Sequence, residues 1–333
     1  MRKHQLLFAV ILLASFTSIS AQFTFRIAGG YAGPGFINNE NVLAPSIDPA
    51  TPSIDALANL ANINDSSKLN KPVHGSYGAG GNVSVGVGYM FNKFIGFDIG
   101  ITYSHSNTIS ATDYRALPLF VPTQYITATI NSFAYGITLA PSLVITGEKT
   151  GWKVYPYGRF GILLPVAGKL TDEVTVISPQ DLNVAADGWL GNRTDIKLET
   201  TGQLSLGFGA AAGVAYKPFP FMNVFAEING GYIQVNAKSS SITEWNATVY
   251  NSNGTSTVTN DVPLRGTYRT QFTYVDQLNN TSNNAQYNSH YDPTKPKQDL
   301  RPTSPGSNLG FNVGVTFFLS KKTLKKDKDA AKK

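Results

Sequence analysis

The sequence predicts an all-β chain that folds as an eight-stranded antiparallel up-and-down transmembrane β-barrel. Three observations carry that expectation. Apolar residues alternate with small or polar ones over strand-length runs, and no helical 3.6 periodicity is sustained. The composition, with 31 Gly, 19 Phe and 16 Tyr against few charges, suits amphipathic strands. Connections between the runs alternate long, short, long, short, as in a barrel whose loops gather at one end and tight turns at the other.

The closing run, 309–319, reads LGFNVGVTFFL and sets the pattern. Leu309, Phe311, Val313, Val315, Phe317 and Leu319 share one face, and Gly310, Asn312, Gly314, Thr316 and Phe318 the other. The inner row is mostly small or polar, so lipid is the natural cover for the oily row. The first strand, 23–32, places Phe23, Phe25, Ile27 and Tyr31 opposite Arg26. A Pro/Asn/Ser-rich loop, 33–75, follows, with one helical turn expected at 54–60. Strand two, 76–91, is joined through Asn92 and Lys93 to strand three, 94–106, where Ile95, Phe97, Ile99, Ile101 and Tyr103 oppose Gly96, Asp98, Gly100, Thr102 and Ser104. After a loop at 107–124, strand four spans 125–146, a short turn 147–151, and strand five 152–170, with Tyr157 and Arg159 inward and Pro156 and Pro165 blurring its register. A polar loop at 171–196 precedes strand six, 198–216. A short turn, 217–221, leads to strand seven, 222–237, with Glu227 and Asn229 inward. The longest irregular segment is expected at 238–305.

An even strand count puts both ends on one side, with short periplasmic turns and long extracellular loops. Tyr89, Phe91, Phe94, Trp152, Tyr155, Tyr216, Phe219, Phe221 and Phe317 gather at the short-turn ends and predict an aromatic girdle at the headgroups.

Three segments are expected: a signal peptide at 1–21, the barrel at 22–320 and a basic periplasmic tail at 321–333. Arg2, Lys3 and His4, then an apolar run at 6–13 and small residues up to Ala21, read as an export signal, too short to span a bilayer. No cysteine is present, which excludes disulfides and thiolate metal sites. The net charge of +6 resides mostly in Arg2, Lys3 and the tail's seven lysines. The body is near neutral and has no nucleic-acid footprint.

The chain resembles the eight-stranded outer-membrane β-barrel family that includes the OmpA transmembrane domain and OmpX-like proteins. Residues 312–319, NVGVTFFL, carry the resemblance: Asn312, Gly314, Phe317 and Leu319 fit that family's closing-strand signal, which its barrel-assembly machinery reads. Two departures are visible. The signal usually ends the chain, whereas 320–333 follow here, and no peptidoglycan-binding domain follows the barrel. The resemblance implies an outer-membrane, monomeric protein in contact with lipid and lipopolysaccharide.

Four inward charges, Arg26, Asp98, Arg159 and Glu227, fall at comparable heights on strands one, three, five and seven. They predict a structural ion-pair network filling a narrow lumen. A small-solute porin is the alternative. Chemistry is weakly signalled. His74, His105 and His290 show no metal-ligand spacing, no cofactor motif is present, and no catalytic residue is assigned. Ser104-His105-Ser106 invites comparison with barrel enzymes that modify lipid A, but alternation puts His105 outward and both serines inward. The segments 33–75 and 238–305 either meet an extracellular ligand, the second through Trp245, Tyr250, Tyr268, Phe272, Tyr274, Tyr287 and Tyr291, or serve as hydrophilic outer shielding, and the alternation at 267–275 is compatible with strands that extend above the membrane. A lipocalin-like secreted barrel is the structural competitor.

Overall fold

A computed structural model describes residues 22–34, 75–116, 125–149, 151–179, 189–251, 256–260 and 262–319. The expected signal, most of the first loop with its helical turn and His74, and the tail lie outside these residues. Among the described residues, fifteen strands form one sheet. Eight of them close the barrel: β1 (Gln22–Pro34), β2 (Gly80–Met90), β3 (Ile95–Ser106), β5 (Tyr125–Thr146), β6 (Val154–Pro179), β8 (Gly207–Phe219), β9 (Met222–Tyr232) and β15 (Asn308–Leu319). Each pairs antiparallel with the next, and β15 closes on β1 from Leu319 against Phe23 to Asn308 against Pro34.

The outer faces are apolar and uncovered by protein. Phe23, Phe160 and Ile228 are about 60% exposed, and Val83, Val87 and Phe311 are more than half exposed. Such a continuous band is unfavourable in water at roughly 25 cal/mol per Å² and is relieved by lipid. No helix among the described residues is long and apolar enough to cross a membrane, and the crossing is made by strands. At one end the turns are tight. In the β2–β3 turn the Asn92 side-chain oxygen accepts from the Phe94 and Ile95 amides at 2.7 and 2.8 Å, an arrangement that makes asparagine a turn residue.

At the other end the sheet continues beyond the lipid-facing band. β4 (Ile109–Ala116) pairs with the upper half of β5, and β7 (Trp189–Gly202) pairs with the upper half of β6. β10 (Gln234–Asn251) pairs with β7, and β11 (Ser256–Asn260), β12 (Gln271–Val275) and β14 (Thr303–Pro305) attach to β10. β13 (Lys297–Leu300) runs parallel to β12, and α1 (Val262–Arg265) and α2 (Thr267–Thr270) are single helical turns.

The expected irregular segments at 107–124, 171–196 and 238–305 are therefore corrected, because much of each is strand. The cause is a face inversion. In β6 one extra residue, Val166, sits between the pairs Pro165–Thr138 and Ala167–Ile137. Even-numbered residues face lipid below this bulge (Phe160, Ile162), but Val174 and Val176 face inward above it. They join Ile196, Leu198, Ile242, Trp245 and Phe272 in a second hydrophobic core, flanked by Ala128, Ile130, Val262 and Tyr274. The polar residues outside, such as Glu173 and Lys197, give this region the composition of a loop. Strands six and seven are each split as well, at 203–206 and at Ile233.

Candidate functional site

The lumen is crossed by a layer of charge. Arg26 on β1, Asp98 on β3, Arg159 on β6 and Glu227 on β9 point inward by strand alternation. The Glu227 carboxylate is the hub. Its Oε1 accepts from Arg26 Nη2 at 2.6 Å, Arg159 Nη2 at 2.8 Å and Asn312 Nδ2 at 3.3 Å, and its Oε2 accepts from the Tyr157 hydroxyl at 2.7 Å. Asp98 Oδ2 lies 3.6 Å from Arg159 Nη1 and 4.0 Å from Arg26 Nη1. The Arg26 guanidinium also stacks 4.2 Å above the Phe225 ring. Glu227 is 1% exposed, so its charge is sustained only by these donors, and the two arginines share two carboxylates.

Small residues make room for the long side chains. Gly213 is the ladder partner of Glu227, and a Cβ there would lie 2.5 Å from the Ala226 carbonyl oxygen and 2.9 Å from the Tyr157 ring. Below the layer, Asn223 donates to the Tyr155 hydroxyl in a short hydrogen bond. Cavities of about 380 Å³ and 230 Å³ lie on the two sides of the layer, and Arg26, Asp98 and Arg159 line both.

Tyr157, Asn312 and Phe225 join the four charges although the sequence reading does not place them there. Tyr157 is within its reach, since it shares the inward row of Arg159 two residues away. Asn312 lies opposite Glu227 across the β15–β9 ladder, a register that strand patterns do not fix. Asn312 and Gly314 face the lumen side of β15, whereas Leu319 is exposed on the lipid side and Phe317 is half-buried there. A Cβ at Gly314 would overlap the Ile27 carbonyl oxygen and sit 2.6 Å from the Phe225 ring.

Tyr155 is corrected from girdle to lumen: it is buried on the same inward row as Tyr157 and Arg159. Phe91, Phe94, Trp152, Tyr216, Phe219 and Phe221 are exposed at the tight-turn end, and Tyr89 and Phe317 are half-buried. The aromatic set of 238–305 is also corrected. Trp245, Tyr268 and Phe272 are buried and Tyr274 is packed against the second core, which leaves Tyr250, Tyr287 and Tyr291 at the surface.

His105 is exposed and stacks on Phe133 at 6.0 Å, while the Ser106 hydroxyl donates to the Asn107 carbonyl and accepts from the Ala134 amide. The two side chains occupy opposite faces and do not meet. His290 is exposed beside Ser289, 3.1 Å away. No group of three or more His, Asp or Glu side chains among the described residues is arranged to hold a metal ion.

Comparison with known proteins bears on this geometry. Residues 7–252 match the family described as the outer membrane protein beta-barrel domain. No curated protein sequence matches the chain. Among solved structures, the chain is similar to a major outer membrane protein from Thermus thermophilus, with 11% identity and a TM-score of 0.35 over 90% of this chain and 100% of that one. With the family match spanning more than half of its length, and with eight strands closed into a barrel, the chain belongs to the outer membrane β-barrel family.

Proposed function

We propose that this outer-membrane protein is a closed barrel that carries a folded recognition head outside the cell, rather than a diffusion pore. Residues 1–21 direct export, the tight turns face the periplasm, and Asn312, Gly314, Phe317 and Leu319 are the features of β15 read by the assembly machinery. The barrel acts as a monomer in lipid and lipopolysaccharide. The head presents Tyr250, Tyr287 and Tyr291 among amides and hydroxyls, a surface suited to an extracellular ligand.

The observation that carries the closed lumen is the hub at Glu227, where four donors from three other strands converge on one carboxylate. Side chains can fill the interior of an eight-stranded barrel, and opposed charges at hydrogen-bond distance supply a rigid filling. In planar bilayers the refolded full chain is expected to give no large, steady single-channel conductance. A stable open level of porin size would overturn the reading.

A further inference from the structure

The barrel wall is interrupted on one side. β6 pairs with β8 from Val154 to Leu163 and with β7 from Lys169 to Pro179. Among the described residues no ladder pair joins 164–168 to 202–206. Three causes coincide at this level. Val166 is the bulged residue of β6, Pro165 has no amide hydrogen to give, and the opposing chain turns to its other neighbour. There the Gln203 amide donates to the Asn236 carbonyl at 2.9 Å, and the Asn236 amide donates to the Ser205 hydroxyl at 3.4 Å. The Gln203 amide and the Ser205 hydroxyl are thus directed away from β6.

The large exposed side chains at this gap are apolar and lie at the upper edge of the lipid-facing band. Leu204 is 72% exposed, more than any other large apolar residue described, and Leu206 and Val166 are also exposed. Behind the rim lies the 380 Å³ cavity, which reaches Pro165, Val166 and Leu204 on one side and the charged layer at its floor. On the head side two segments meet beside the cavity. The Tyr77 amide donates to the Pro305 carbonyl at 2.9 Å, the Ser76 hydroxyl to the Ser307 carbonyl at 2.5 Å, and Gly78 lies so near Gly306 that a Cβ would overlap its carbonyl oxygen.

We infer that the upper cavity is a binding site for a single-chain amphiphile that enters sideways from the membrane through the gap between 164–168 and 202–206. The volume is at the small end of ligand pockets, which run from roughly 300 to 1,000 Å³, and accommodates one chain rather than two. Leu163, Ala140 and Ile233 offer apolar wall, whereas Ser84, Thr102 and Asn229 offer hydroxyls and an amide. A bare hydrocarbon would leave those polar groups and the floor unsolvated, and a polar solute would have to cross the apolar rim. An acyl chain with a compact polar head satisfies both surfaces. This site goes beyond the closed-lumen reading: it requires a barrel in lipid but not a recognition role for the head.

The test uses the refolded full chain in nanodiscs and the fluorescent fatty acid cis-parinaric acid. Saturable binding of about one probe per barrel is expected over protein-free discs. Ser104→Phe and Ala211→Phe, which fill the cavity from two different strands, should each weaken binding at least tenfold while heat-modifiable gel mobility reports a closed barrel. Leu204→Asp should slow uptake several-fold. Absence of saturable binding, or wild-type affinity in both folded filling variants, would overturn the site, and an unchanged uptake rate in Leu204→Asp would overturn lateral entry. Bilayer conductance, which tests the closed lumen, is a separate readout.

Discussion

At Glu227 one carboxylate accepts from two arginines and holds Tyr157 and Asn312, so its removal leaves both guanidiniums facing Asp98 alone in a confined lumen. Breaking a buried pair by removing one partner costs on the order of 3–5 kcal/mol. Glu227→Ala is therefore expected to lower the temperature at which the barrel loses its heat-modifiable migration, measured as the midpoint of a gel-shift melt. Asp172 is a buried carboxylate outside the charged layer, above the lipid-facing band, near the level where Lys169 and Glu199 form a half-buried ion pair. Burial raises its pKa from 3.8 to about 6, and the hydrogen bond from Ser132 offsets only part of that. The folded head thus holds the Asp172 proton more tightly than the unfolded chain does. Its contribution is full below about pH 4 and is lost as the pH rises through about 6, a change of ~3 kcal/mol. Protease resistance of the head should fall across that window, and Asp172→Asn should flatten the profile and protect the head at neutral pH.

Within β6, a single bulged residue converts a lipid-facing row into a core-facing row. Deleting Val166 would bring the pairs Pro165–Thr138 and Ala167–Ile137 into direct succession and keep Val174 and Val176 opposite Ile130 and Ala128, facing inward against Ile196, Leu198 and Trp245. The deletion is expected to leave the barrel heat-modifiable and the head resistant to limited proteolysis; cleavage within 238–305 would contradict Val166 as the one extra residue. The same feature marks where sequence reading ends. Below the bulge, apolar-out alternation runs cleanly along β2, β3, β8, β9 and β15, and those strands are legible because lipid demands an oily face on every second residue. Above it the demand reverses, the visible face turns polar, and β7, β10 and β12 take on the composition of loops. Pro165 signals an irregular strand but does not reveal that an extra residue follows it.

The molecule as a whole is a lipid-facing barrel with a charged layer across its lumen and a water-facing head with its own hydrophobic core. Strand parity alone places Arg26, Asp98, Arg159 and Glu227 inward. Their convergence with Asn312 depends on cross-strand register, which no local pattern encodes. The buried roles of Tyr155, Trp245 and Phe272 are hidden for a related reason, since an aromatic residue near a strand end or in a polar segment reads as interfacial until its neighbours are known. The layer divides the lumen into two cavities, and Thr24 lines the lower one. Because the chain has no cysteine, Thr24→Cys is a clean reporter. In oriented liposomes a membrane-impermeant maleimide should label the introduced thiol from the tight-turn side and not from the head side, and adding Glu227→Ala should raise head-side labelling. Equal labelling of the otherwise unaltered barrel from both sides would contradict a lumen closed by the ion-pair layer.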